Sequence, residues 1–407
     1  MREHKKVWVI TEYYYPTMIS SGYYMTEIAE YLASKVDIVN VITTSSNYNN
    51  KDRQKSERHE IINNVSIYRI LSKGTNKNDF ILRALGLFWS SIKLFNKALF
   101  RIHRGDELLV ITNPAFFILL LPILKKVKKV DITILVHDIF PENLAAIGKI
   151  SKTSFVFKFL KKIFDFAYSQ AITCIAIGSD MKKVIESKVK NNTNIVIIPN
   201  WSDTDEVYPI PKNKTKIINK YSLNNKFIFQ FAGNLGHSQG LDNILEAINL
   251  VDDPNLHFLF IGSGAKKNKI MEFAKRAPLK NVTYTGFIDR SEQNSFLNAC
   301  DVSIVTLSDG MFGLGVPSKS YNIMAAGKPI IIVADEDSEI SLVVKENNIG
   351  WVVKPAKPNE LKNTFIKIYK NKSNIPEMGK RARKVAEKVY AKKIILEKYY
   401  DLLNDNL

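Results

Sequence analysis

Between residues 6 and 200 the chain repeats one pattern: a short, continuous apolar run, a polar turn, then apolar residues at helical spacing. The apolar runs are 6–11 (KVWVIT), 36–43 (VDIVNVIT), 66–69, 108–111, 131–136 (DITILV), 174–177 and 195–198. Runs that are apolar throughout, rather than alternating, predict strands buried on both faces. Helical spacing fills the gaps, as at 25–35. After Pro199-Asn200 the pattern restarts with 227–231, 257–261, 282–284, 302–305, 329–333 and 350–353, each followed by a helical stretch. Strands alternating with helices predict parallel sheets covered on both faces, so the fold class is α/β with two doubly wound units.

The segment 203–222 (DTDEVYPIPKNKTKIINKYS) is polar and contains proline, and reads as a linker. It sets the expected domains at 1–203 and 204–389. The final helical stretch, 380–403, is long enough to run back, so 390–407 are expected to pack on the first unit. Ligands of open parallel sheets bind beyond the C-terminal strand ends. Two such units facing each other would form one central cleft, with its reactive groups on loops after strands.

Composition changes this picture in three places. At 407 residues the chain exceeds the size of a single core, which agrees with two domains. Its two cysteines, Cys174 and Cys300, lack metal-ligand spacing and read as small buried hydrophobes in a reducing compartment. The basic opening leads straight into a strand, and the longest apolar stretch, 116–124, contains Pro122 and is too short to span a bilayer. A cytoplasmic location is therefore expected. The formal charge of +18 asks for an anionic partner. Zinc-finger spacing and interleaved aromatic-basic stacking motifs are absent, which argues against nucleic acid. Basic residues gather instead on three apolar, helically spaced stretches, 80–104, 116–129 and 155–168. Such stretches suit either core helices with a solvated basic edge or an interfacial surface, and three in one half favour peripheral attachment to an anionic membrane.

Candidate chemistry clusters where strands end. The first strand is followed by EYYYP and then Ser20-Ser21-Gly22, where a glycine either lets backbone N–H groups approach an anion or simply makes a tight turn. HDIFPENL begins with His137 and Asp138, suited to holding sugar hydroxyls or carrying a proton; the alternative is a cap plus a packed ring. Strand alternation sends the two side chains to opposite faces unless the strand has already ended. AGNLGHSQGLD supplies Gly233, Asn234, Gly236 and Gln239 between a strand and a helix, a phosphate cradle or a turn with glycines for geometry. Gly262 opens a second glycine turn. Gly286-Phe287 either offers its backbone to a nucleobase or places Phe287 in the core. The stretch GLGVPSKSYNIMAAGKPIII sets Lys319, flanked by Ser318 and Ser320, at a helix mouth, where the macrodipole disfavours a cation. Either an anion is bound there or the lysine is merely solvated.

Together these motifs resemble the family-4 glycosyltransferases of the GT-B type, over nearly the whole chain and in the family's order. Within that family the chain is most similar to bacterial surface-polysaccharide enzymes that transfer N-acetylated deoxyamino sugars such as N-acetylfucosamine. The resemblance implies two Rossmann-like domains, a UDP-sugar donor on the second and a polyprenyl-diphosphate-linked acceptor on the first. It also implies retention of anomeric configuration, without a metal or any cofactor besides the donor substrate. Two departures matter. Alignment on MAAGKP puts Leu314 and Asn322 where the family carries its Glu-x7-Glu pair. Asn234 and Gln239 stand where the glycine loop usually carries Arg and Lys. Lys319 is inferred to replace those cations at the diphosphate, since a departing UDP gains charge that a fixed ammonium stabilises. Asn322 is a neutral substitute, and Glu339 is a candidate ribose ligand.

The expected activity is therefore metal-independent hexosyl transfer in O-antigen or capsule assembly, with Lys319 and Ser318 at the diphosphate and His137 and Asp138 orienting sugar. A nucleotide-sugar 2-epimerase on the same scaffold would need more carboxylates and would epimerise UDP-sugar without acceptor. A non-catalytic nucleotide-sugar-binding protein would bind UDP without turnover. An NAD-dependent oxidoreductase is disfavoured, since neither half has GxGxxG with a following acidic residue.

Overall fold

The computed structural model describes residues 6–18, 20–36, 38–45, 58–71, 80–190, 192–277 and 279–404. Ile19 of the opening loop, Asp37 of the run 36–43 and residues 405–407 of the expected C-terminal helix lie outside the described residues. The chain divides into two compact units, residues 1–199 with 396–407, and residues 200–395.

The first unit is built on β1 (Val7–Ile10), β2 (Val39–Thr44), β3 (His59–Ile62), β4 (Val65–Ile70), β5 (Glu107–Ile111), β6 (Asp131–Val136), β7 (Thr173–Ala176) and β8 (Asn194–Ile197). They form one sheet in the order β3-β4-β2-β1-β5-β6-β7-β8. All neighbours are parallel except β3 and β4, which are antiparallel. Strand β3 is absent from the apolar runs because its residues alternate between exposed and half-buried. Asn63 and Asn64 join it to β4 with φ of 49° and 63°, the left-handed pair that a tight hairpin needs.

Six helices of this unit matter below: α1 (Ser20–Ala33), α2 (Phe80–Arg101), α3 (Ala115–Ile118), α4 (Leu121–Lys128), α5 (Glu142–Ala146) and α6 (Phe155–Tyr168). The apolar stretch 116–129 is divided between α3 and α4. Pro122 stands in the first turn of α4, where its missing N–H costs nothing. Helix α2 runs antiparallel to β4. Its Arg101 guanidinium lies 4.7 Å from the Tyr68 ring, and Lys93 donates to the Leu71 carbonyl just past the strand's C-terminal end. Leu94, Ala98 and Ile102 are fully buried. The opposite end of α2 therefore projects beyond the C-terminal edge of the sheet, with Leu82, Leu85, Phe88 and Trp89 exposed. At 1.5 Å per residue, Leu82 lies about 16 Å along the axis from Lys93.

The second unit carries β9 (Phe227–Ala232), β10 (Leu256–Ile261), β11 (Val282–Gly286), β12 (Val302–Thr306), β13 (Ile330–Val333) and β14 (Gly350–Val353). The order is β11-β10-β9-β12-β13-β14, every pair parallel, so the connections reverse direction between β9 and β12. That reversal opens a crevice above the strand ends. Phe229, Phe258 and Phe365 interlock beneath it with ring centroids 4.7 to 5.6 Å apart, each fully buried.

The segment 203–222 is held onto this unit. Arg383 donates to the carbonyls of Thr204, Val207 and Ala325 at 2.6 to 2.9 Å. The expected single helix over 380–403 is two, Ile375–Val389 and Lys392–Asn404. The break is made by Ser202, whose N–H donates to the Tyr390 carbonyl and whose carbonyl accepts from Lys392, both at 3.0 Å. Backbone groups used in that way are lost to the helical ladder. Among the described residues no helix is long and apolar enough to cross a membrane.

Candidate active site

In the second unit the loops after β9, β10 and β12 are tied together by backbone. Leu235 N–H donates to Ser263, and Lys266 N–H donates back to Leu235, both at 2.9 Å. Ser308, following β12, accepts from Gly240 N–H through its hydroxyl and donates its own N–H to Ser238. Gly262 makes this possible: it has φ +138°, and a Cβ there would sit 1.9 Å from the Gly233 carbonyl oxygen. Only glycine allows the two loops to touch. Gly233 and Asn234 stay exposed at the rim, whereas Gly236 is buried beside Asn234.

Lys319 is the first residue of the helix Lys319–Ala325, after Ser318. Its Nζ donates to Gln239 Oε1 at 3.1 Å and lies 3.7 Å from the centre of the Phe231 ring. Its Nζ also lies 3.8 Å from the position a Cβ would take on Gly233. Lys319 and Gln239, distant in sequence, thus share one spot at the switch point. Burial pushes the ammonium down to about 7, although part of the side chain still meets solvent. Among the described residues no carboxylate forms an ion pair with it. An ammonium over glycine loops with no carboxylate partner among the described residues suits an anion. Asp242, at the start of the helix Leu241–Asn249, is by contrast neutralised by Lys266 at 2.5 Å and Lys269 at 2.6 Å.

The remaining second-unit candidates are more dispersed. Asn322 Oδ1 accepts from the Ser202 hydroxyl at 2.9 Å, so the carbonyl end of this amide is engaged by the chain itself. Leu314 is buried. Glu339 begins the helix Glu339–Glu346, where the macrodipole favours a carboxylate. The Tyr390 hydroxyl is pushed up by burial first and then by the Glu339 and Glu346 charges, and its ring lies tilted against that of Tyr321, centres 4.9 Å apart. Gly286, with φ +82°, accepts from Gly262 N–H at 2.8 Å, and Phe287 is 67% exposed rather than part of the core.

In the first unit the candidate groups also stand at the C-terminal edge. Strand β6 ends at Val136, so His137 and Asp138 lie in the loop and strand alternation does not separate them. Both backbone N–H groups donate to Thr112 Oγ1 at 3.1 Å. The His137 ring meets the Tyr24 ring edge-on, its centre 6.0 Å away. Its Nε2 is buried with no hydrogen-bond partner among the described residues, and burial pushes its pKa down to about 4. A neutral imidazole with a vacant nitrogen orients a hydroxyl rather than supplying a proton at neutral pH. Asp138 is exposed, yet the protein crowding around it raises its carboxyl, while Asn143 donates to it at 2.8 Å.

A buried ion cluster fixes this loop from below. Lys188, fully buried, donates to both oxygens of Glu142 at 2.7 and 2.8 Å and pairs with Asp165 at 2.6 Å. Glu142 and Asn143 open α5, so the cluster sets the group that holds Asp138. Gly22 is enclosed by its own loop: a Cβ there would sit 2.1 Å from the Thr17 carbonyl oxygen.

Two groups at this edge escaped sequence reasoning. Glu12 follows β1 and is buried; its N–H donates to the Asn113 carbonyl at 3.1 Å. Burial pushes its carboxyl up to about 7, against the pull of Tyr13, Arg83 and Asn113. Arg83, exposed near the start of α2, also lowers Asp138. An acidic residue directly after a buried strand was a readable signal for Glu12. Nothing in the sequence brings Arg83 to β1 and β6.

Comparison with known proteins decides the family. A family model described as "Glycosyl transferases group 1" matches residues 213–387. A probable glycosyltransferase of Pseudomonas aeruginosa, WbjE, is 38% identical over 325 residues, covering 80% of this chain and 81% of its own. The chain belongs to the group 1 glycosyltransferases. The putative colanic acid biosynthesis glycosyl transferase WcaI of Escherichia coli is 26% identical over 224 residues, 54% of each chain. Sucrose-phosphate synthase from Thermosynechococcus elongatus shares the fold with a TM-score of 0.77 at 14% identity, covering 99% of both chains. Anabaena HepE, solved in complex with UDP-glucose, has a TM-score of 0.73 at 15% identity, covering 99% of this chain and all of that one. The fold of this glycosyltransferase is thus GT-B, and its activity is glycosyl transfer in glycan biosynthesis.

Proposed function

We propose that this glycosyltransferase moves an N-acetylated (deoxy)amino sugar from a UDP-sugar to a saccharide on polyprenyl diphosphate, during assembly of an O-antigen or capsule. The observation that carries the reading is Lys319, a desolvated ammonium without a carboxylate partner among the described residues, seated on Gln239 and Phe231 above the glycine loops. Diphosphate binding restores its charge, and leaving-group charge then develops against a fixed cation. No metal is required in this scheme, and Ser318, Gly233 and Asn234 line the rim of the same crevice. Transfer proceeds with retention: the acceptor attacks the face the UDP leaves, and the departing phosphate takes its proton. His137 and Asp138 orient the hydroxyls. Asn322 reads the donor's sugar hydroxyls, and Glu339 holds the ribose. The names of WbjE and WcaI, the latter a putative colanic acid enzyme, support a surface-polysaccharide setting.

Peripheral attachment to the inner membrane face completes the reading. It is supported by exposed apolar residues beside lysines: Trp89 and Leu85 on α2, Val127 on α4, and Phe155 and Phe159 on α6. Basic amphipathic surfaces bind anionic bilayers by partial burial plus charge. The test is incubation with a panel of UDP-N-acetylamino sugars and a prenyl-diphosphate-GlcNAc acceptor, with the product read by mass and its anomeric configuration by NMR. Product with any of these donors supports the reading, and inverted product removes the mechanism. Flotation with anionic vesicles is expected to weaken in the double substitution Leu85→Ser/Trp89→Ser; unchanged flotation rejects α2 as the docking element.

A further inference from the structure

Arg83, on the projecting end of α2, belongs to no role assigned above. The antiparallel course of α2 along β4 carries residues 80–89 past the C-terminal edge of the first unit's sheet, the edge where open α/β sheets bind their ligands. The same end is tied to the loop after β5. Phe88 meets Phe116 edge-on at 5.9 Å, and α3 starts two residues after Asn113, whose carbonyl holds Glu12. Arg83, little more than a turn before Phe88, is exposed and acts electrostatically on both Glu12 and Asp138. Exposed Leu82, Leu85 and Trp89 thus share a helix end with a guanidinium that acts on the carboxyls after β1 and β6.

A lipid-linked acceptor has its own fixed order: hydrocarbon, diphosphate, saccharide. We propose that Arg83 binds the diphosphate of the acceptor, registering the lipid-linked saccharide against His137 and Asp138. This rests on the acceptor class proposed above. A guanidinium suits the task, because its planar fork makes paired hydrogen bonds to phosphate oxygens and its charge does not titrate. Exposed Asp138, on which this guanidinium acts, is the acceptor for saccharide hydroxyls beside it.

The test uses the full chain with UDP present and two probes of equal chain length: a geranylgeranyl-diphosphate-GlcNAc and an uncharged alkyl GlcNAc glycoside. Wild type is expected to bind the diphosphate probe more tightly. Arg83→Gln is expected to weaken that probe about tenfold or more, leaving the uncharged probe, UDP affinity and vesicle flotation unchanged. Arg83→Lys should retain part of the preference. A preference that survives in Arg83→Gln overturns the assignment and leaves the acceptor class standing. Equal weakening of both probes also overturns it, because the residue would then shape the edge rather than read phosphate. Loss of flotation with unchanged probe affinity gives Arg83 to bilayer phosphates and overturns it too. A wild type without preference for the diphosphate probe removes the lipid-linked reading itself, and this inference with it.

Discussion

The C-terminal sheet edges of the two units of this glycosyltransferase are built from different materials. The second unit's edge is mostly backbone: glycine loops packed against one another, cross-linked through Leu235, Ser263 and Ser308, with one lysine laid over them. The first unit's edge is mostly side chain, with Glu12, His137 and Asp138 supported by Thr112, Asn113 and the buried Lys188 cluster. A diphosphate is the same in every nucleotide sugar, and fixed N–H groups with a cation suffice to hold it. A saccharide acceptor is read hydroxyl by hydroxyl, which needs side chains whose charge and direction are set by their surroundings.

The largest expected effect breaks the backbone half of this contrast. Gly262→Ala places a methyl group against the Gly233 carbonyl, so the loops separate. A stability loss of about 4 kcal/mol or more is expected, read as a lower denaturation midpoint together with lost UDP binding. Wild-type melting would mean that the loops are not held by that contact. Next comes Lys319→Ala, expected to fold normally and to lose about a hundredfold in kcat, roughly 3 kcal/mol. Near-normal kcat would remove Lys319 from the diphosphate.

The same lysine sharpens the contrast through pH. Its folded pKa is lowered to about 7, so the ligand-free ammonium loses its proton as pH rises through that value, while bound diphosphate favours the charged form. UDP affinity is therefore expected to be constant below about 7 and to fall by at most about tenfold per pH unit above it. Calorimetric titration from pH 6 to 9 measures this, and Lys319→Arg should flatten the fall because a guanidinium does not titrate there. The smallest effect tests the side-chain half: His137→Phe should lower acceptor-dependent turnover by about tenfold, the worth of one hydrogen bond, without changing UDP affinity. A change in UDP affinity instead would show that the two edges are not chemically separable.

Much of the second unit was legible from spacing. The glycines of 233–240 and 262–264 mark loops between buried strands, and Ser318-Lys319 marks a helix start, because each is a local backbone requirement. The sequence implied only that Lys319 replaces the cations missing at Asn234 and Gln239; its pairing with Gln239 depends on strands β9 and β12 lying side by side. The first unit was less legible. His137 and Asp138 stood out after an apolar run, but β3, with its alternating half-buried residues, did not. The opening and closing helices were foreseen, though not the break that Ser202 makes between Val389 and Lys392.

By itself the sequence determined which segments become buried strands and where loops need glycine, since both follow from contacts within a few residues. Tertiary structure alone decided that Arg83 acts on Glu12 and Asp138, that Lys188 fixes the Asp138 loop, and that Lys319 has no carboxylate partner among the described residues while Asp242 has two lysines. Charge and protonation depend on what lies within a few ångströms in space, and the order of residues along the chain does not record that distance.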